Sequence, residues 1–101
     1  EGLPARFARH RAMREQVEQW VARHGRCGIL APPGRRADTV TALTLRPERQ
    51  ASELAAELAA AGWTVATGIA EDTERLIRIG HMGDVQPEQL AALLKALEPR
   101  L

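Results

Sequence analysis

Strand-like runs and helical stripes alternate along this chain, and that order restricts the fold more than any other feature of the sequence. Thr39 to Leu45 carries no charge and is rich in β-branched residues and leucine, as a strand requires, and Arg46 with Pro47 ends it. Residues 50–61 place Leu54, Leu58 and Ala61 on one helical stripe closed by Gly62. Further strands are expected at Trp63–Thr67 and Arg75–Ile79, with room for a short one around Gly28–Leu30. Pro87 at a first helical position, beside Glu88, opens a last helix whose Leu90, Leu93, Leu94 and Leu97 form a stripe. Ahead of all these, residues 2–24 hold few breakers and repeat Leu3, Phe7, Met13, Val17, Trp20 and Val21 at helical spacing, up to a stop at Gly25.

Helices that return between or after strands pack most economically on one face of a small, largely antiparallel sheet. The expected fold is therefore α+β, a two-layer sandwich. A length of 101 residues suits one domain with a single core. With one Phe and two Trp, that core must be aliphatic and thin. The turn-rich stretch 26–38 holds Pro32, Pro33, Gly34, Arg35 and Arg36 and is expected to be a mobile loop with its arginine pair facing solvent. It lacks both the Gly-Lys-Thr or Gly-Lys-Ser ending and the following helix of a phosphate loop.

Fourteen Lys and Arg against thirteen Asp and Glu leave a net charge of +1, so no overall field marks nucleic acid or a membrane as partner. Arg6, Arg9, Arg11 and Arg14 crowd the first helix, but Glu15 and Glu18 follow, which fits a solvated or domain-packed face better than a phosphate-binding arm. The single cysteine, Cys27, allows no internal disulfide, and no apolar run is long enough for a membrane span or a secretory signal. The cytoplasm is the expected compartment. His10, His24, His81 and Cys27 do not pair at spacings typical of zinc sites, so no metal is expected. His10 is expected on the surface of the long helix or at a domain contact, His24 as a cation near a helix C-terminus, and His81 in a structural role.

The most unusual segment is Leu76-Ile77-Arg78-Ile79-Gly80-His81-Met82-Gly83. Alternation in a strand puts Arg78 on the face opposite Ile77 and Ile79. If the isoleucines face the helices, a guanidinium stands mid-strand on the uncovered side, where its planar fork could grip a carboxylate. An arginine at that place could equally pair with a nearby Glu or stay solvated. The two glycines around His81 and Met82 indicate a tight turn. Their spacing matches the nucleic-acid clamp of KH domains, but that clamp joins two helices, and Gly80 follows a strand.

The string Arg78-Ile79-Gly80-His81-Met82-Gly83 resembles the signature near the C-terminus of class V aminotransferases of the alanine–glyoxylate and serine–pyruvate group. Glu1-Gly2-Leu3, Arg9-His10-Arg11, Thr39 to Leu43 leading to Pro47, the Gly62-Trp63 turn and Gly68 fall where that family places similar pieces, so the resemblance covers essentially the whole chain. It implies a C-terminal small domain whose Arg78 binds the substrate carboxylate. It also implies pyridoxal 5′-phosphate as cofactor of the full-length enzyme, held as a Schiff base by a lysine of a preceding large domain missing from this chain. The activity implied is transfer of an amino group between a small amino acid, alanine or serine, and a 2-oxo acid, glyoxylate or pyruvate. A homodimer is implied by resemblance alone.

No catalytic, cofactor-binding or metal residue is carried over to this chain. Its only lysine, Lys95, reads as a solvated cation in the last helix, so the chain alone is expected to be inactive and to bind no cofactor. Helical pattern starts within a few residues of Glu1 with no initiator Met, which leads us to expect a piece of a longer polypeptide. Residues 69–75, Ile-Ala-Glu-Asp-Thr-Glu-Arg, depart from the second glycine and Gly-Lys pair common in the family's approach to the motif, which leaves the substrate range open. The other reading is a free-standing α+β module for ligand binding or regulation, without catalysis.

Overall fold

The computed structural model describes residues 1–68 and 73–101. In chain order it holds α1 (Leu3–His24), β1 (Gly28–Ile29), β2 (Val40–Thr44), α2 (Ala51–Ala60), β3 (Ala66–Thr67), β4 (Leu76–Gly80) and α3 (Pro87–Leu97), closed by a 3-10 turn, Glu98–Arg100. The strands form one sheet in the order β1-β2-β4-β3, every neighbouring pair antiparallel. Strands β2 and β3 thus run parallel on either side of β4, and α2 is the crossover that joins them.

Capping chemistry explains where the helices stop and start. Gly25 takes the left-handed conformation, φ 63°, and its N–H closes on the Val21 carbonyl at 2.9 Å, ending α1. Gly62, φ 96°, does the same after α2. At α3, Pro87 occupies the first turn, and the Gln89 side chain reaches back to accept from the Gln86 N–H at 2.8 Å.

All three helices contribute to one core. Met13, Val17 and Trp20 of α1, Ala51, Leu54 and Leu58 of α2, and the four leucines of α3 meet Leu43, Ile77 and Ile79 of the sheet and Leu45 just beyond β2. Ile77 and Ile79 are buried in that cluster, so alternation sends Arg78 to the opposite face. The expected two-layer α+β sandwich is the observed fold.

Three local expectations change. The strand expected at Trp63–Thr67 is only Ala66–Thr67, because Trp63 still belongs to the helix stop, its N–H on the Leu58 carbonyl at 2.8 Å and its ring against the core. His10 is 6% exposed rather than on the surface, whereas Leu3 and Phe7 are 65% and 55% exposed. The buried stripe of α1 is His10, Met13, Val17 and Trp20. His24 is not a cation at its helix end: burial holds its pKa below 6.5, and its Nδ1 accepts from the Arg26 N–H at 2.8 Å, which requires a bare nitrogen.

Candidate functional site

Cross-strand register builds a row on the face away from the helices. Arg78 lies opposite Ala42 of β2 and Ala66 of β3, and the Leu30 N–H donates to the Ala42 carbonyl at 3.0 Å, which extends the row to Leu30. Alanine on both sides leaves the long arginine unobstructed. Its Nε donates to the Thr67 carbonyl at 2.9 Å, which fixes the plane of the guanidinium against the edge strand. Among the described residues no acceptor takes the two terminal nitrogens and no ion pair engages Arg78. A planar fork with both terminal nitrogens available can meet a carboxylate end-on through two parallel hydrogen bonds.

A cleft of about 230 Å³ surrounds this position, lined by Leu30, Val40, Ala42, Arg35 and Arg78 among others, and among the described residues no acidic one lines it. That volume lies under the ~300 Å³ at which pockets for drug-sized ligands begin. It suits a small acid.

The residues after β4 are held firmly. The His81 N–H donates to the Thr39 carbonyl at 2.8 Å, and its ring Nε2 lies 2.8 Å from the Thr41 hydroxyl, fully buried. Nδ1 has no hydrogen-bond partner of good geometry, although the Asp38 backbone lies near enough to favour a proton weakly. Burial dominates, helped by the neighbouring His10, and holds the pKa below 6.5. His81 is thus buried under the sheet end and tied to both Thr39 and Thr41.

Nothing in the spacing identified Arg9 as the second anchor of this turn. Its Nη2 donates to the Gly83 carbonyl at 2.6 Å and its Nη1 to the Val85 carbonyl, while Nε and Nη2 meet the Glu1 carboxylate at 3.0 and 2.9 Å. That contact lowers the Glu1 pKa. Gly83 itself has φ 66°, within the tight turn the sequence indicated.

The approach to the motif is described only from Thr73, and residues 69–72 lie outside the described residues. Beyond them Glu74 accepts from the Ser52 N–H and hydroxyl at 2.8 and 2.7 Å, and Arg75 donates to the carbonyls of Arg46 and Arg49 at 3.1 and 2.9 Å. Lys95 is exposed on α3, in the helix layer. Cys27 is a free thiol whose pKa burial pushes up to about 11, an unreactive form. Among the described residues no three side chains gather to hold a metal ion, and no helix is long and apolar enough to cross a membrane.

No family model matches the sequence, and no curated protein does. Solved structures do match. Alanine–glyoxylate aminotransferase from Nostoc sp. is 24% identical, with a TM-score of 0.90 over 98% of this chain and 26% of its own. Ureidoglycine–glyoxylate aminotransferase from Bacillus subtilis is also 24% identical, with a TM-score of 0.90 over 100% of this chain and 26% of its own. Pyridoxamine–pyruvate aminotransferase from Mesorhizobium loti is 27% identical, with a TM-score of 0.83 over 92% of this chain and 24% of its own. The chain spans about a quarter of the length of the solved structures it matches. Its fold is that of the small domain of class V aminotransferases.

Proposed function

We propose that this chain is the substrate-carboxylate-binding part of a pyridoxal-phosphate-dependent transaminase that moves an amino group between a small amino acid and a 2-oxo acid. The observation that carries the proposal is Arg78. Its terminal nitrogens stand on the open sheet face between two alanines, without an acidic partner among the described residues, in a fold otherwise matched by aminotransferases.

In this reading pyridoxal phosphate is held outside the cleft of Arg78. Lys95 sits in the helix layer, away from the cleft of Arg78, and a cleft of about 230 Å³ suits the substrate's acid end alone. The electron-sink chemistry of that cofactor accordingly falls to the rest of a longer polypeptide, in a large domain that this chain lacks, and a homodimer is the expected assembly. What this chain does is bind and orient. Anchoring the carboxylate through two parallel hydrogen bonds fixes the direction of the bond to be broken at the neighbouring carbon, and such fixed geometry removes part of the entropic barrier.

Sequence upstream of Glu1 in the gene tests the architecture. We expect several hundred residues containing a lysine after a strand; a start codon immediately before Glu1 would favour a free-standing regulatory module instead. On the 101-residue chain alone, a cofactor absorbance band fixed to Lys95 by borohydride would contradict the division of labour.

A further inference from the structure

Large apolar side chains stand in water where α1 begins. Residues 3–9 of that helix run on past the core, since its first buried residue is His10, and the overhang measures about 10 Å at the rise of an α-helix. Leu3 and Phe7, four residues apart, share one face of the overhang and are exposed. Met82, in the turn after β4, is 56% exposed. Phe7 and Met82 line one groove of about 520 Å³, with His10 and Gly83 also in its wall.

Both sides of this groove are fixed. From the overhanging helix, the Arg9 guanidinium donates to the Gly83 carbonyl at 2.6 Å and to the Val85 carbonyl. Within the turn, the Val85 N–H closes on the Met82 carbonyl at 3.3 Å, and the His81 N–H holds the Thr39 carbonyl at 2.8 Å. Phe7 and Met82 are therefore set in place before any partner arrives, which lowers the ordering cost of binding one. Grouped apolar exposure of this kind marks a contact surface.

Charge and chain length indicate what covers it. Arg6 meets Glu1 at 3.7 Å and Asp84 at 3.6 Å, Arg9 meets Glu1 at 2.9 Å, and Asp38 meets Arg14 at 2.7 Å. Arg11, exposed in the same groove, enters no ion pair among the described residues, which leaves the groove an excess of positive charge. A two-fold contact with a second copy uses the same patch on both sides and would set that excess against itself. The chain spans only about a quarter of the length of the aminotransferases it matches. In a polypeptide of that size, a large domain is tethered beside this surface at high effective concentration.

We infer that Leu3, Phe7 and Met82 form the seat of the large domain, with one of its apolar side chains lodged in the groove between Phe7 and Met82. This rests on the reading of the chain as part of a longer enzyme and adds where the two parts touch. Ile79, Gly80 and His81 alone lie between Met82 and Arg78. Docking at this seat therefore fixes the carboxylate anchor relative to the part that holds the cofactor.

Oxidation by dilute hydrogen peroxide, followed by peptide mass, reads the groove directly, because the two methionines of the chain are opposites. Met13 is fully buried in the core and Met82 is exposed. In the 101-residue chain Met82 should oxidise and Met13 resist. In the longer polypeptide Met82 should react roughly tenfold more slowly, since susceptibility follows exposure, and Phe7→Gln should restore its rate there without touching Met13. The inference is overturned if Met82 oxidises equally fast in both proteins or if Phe7→Gln leaves its protection intact. It is also overturned if the 101-residue chain sediments as a dimer that Phe7→Gln dissolves, which would give the surface to a second copy. A gene without an upstream large domain would overturn the proposed architecture and this inference together, whereas a reactive Met82 in a polypeptide that has one overturns this inference alone.

Discussion

His81 Nε2 and Thr41 Oγ1 meet at 2.8 Å with both side chains buried, joining the turn after β4 to the strand beside it. Only Ile79 and Gly80 separate His81 from Arg78, so this contact and the Arg9 clamp on Gly83 and Val85 fix the end of the strand that carries the arginine.

Mild acid should weaken the fold through His81 and His24. The pKa of His81, and that of His24, is held below 6.5 in the folded chain, chiefly by burial. Between the folded value and 6.5 the unfolded state binds more protons, so this stability is complete above pH 6.5 and is lost as pH falls through the folded value. Glu1 and Glu74, with pKa values lowered from 4.5, act in the same direction only at more acidic pH. Urea unfolding at pH 7.5 and 5.5, pH values on the order of one unit either side of the ordinary histidine range, should give a lower midpoint in acid and a smaller difference in His81→Gln. Equal midpoints in the parent chain would refute the buried neutral ring.

Thr41→Val keeps the shape of the side chain but removes the partner of a buried ring nitrogen. Leaving such a group unsatisfied costs roughly 1–3 kcal/mol. Chemical denaturation of the variant should show a loss in that range; an unchanged midpoint would mean that water or another group replaces the hydroxyl without cost.

Glu18 is the common partner of Arg14 and Arg36, all three side chains being roughly one-fifth exposed. Glu18→Ala should lower global stability by no more than about 1 kcal/mol, since ion pairs open to solvent contribute little. The larger effect should be local. Amide hydrogen exchange should speed up at Arg35 and Ala37 and remain as it was in α3, which separates loosening of the turn from general destabilisation.

The order of elements, the antiparallel sheet and its helix-covered face were legible because each rests on periodicity and punctuation by Gly and Pro. Gly25, Gly62 and Pro87 sit where the helices begin or end. Counting only apolar residues misassigned the face of α1: His10 completes the buried stripe through Met13, Val17 and Trp20, while Leu3 and Phe7 have no element beneath them. The shortened β3 could not be read from Trp63–Thr67, because a β-prone run does not reveal how many of its residues reach a partner strand. At the site, alternation was enough to put Arg78 on the open face. That its cross-strand neighbours are Ala42 and Ala66, neither of them acidic, is a fact of register. The turn of Arg36 inward to Glu18, where the sequence suggested a solvent-facing arginine pair, and the clamp made by Arg9 depend on contacts between residues far apart in sequence, which no local pattern records.

The carboxylate role of Arg78 is tested most directly by the steady-state kinetics of Arg78→Ala in the longer polypeptide that carries the cofactor. Removing one member of a desolvated, hydrogen-bonded charge pair costs roughly 2–5 kcal/mol, so kcat/KM for the amino acid should fall by about thirtyfold or more, with a raised KM. Arg78→Lys should recover only part of the loss, because an ammonium cannot form the two parallel hydrogen bonds of the guanidinium. Near-normal kcat/KM in Arg78→Ala would contradict the account.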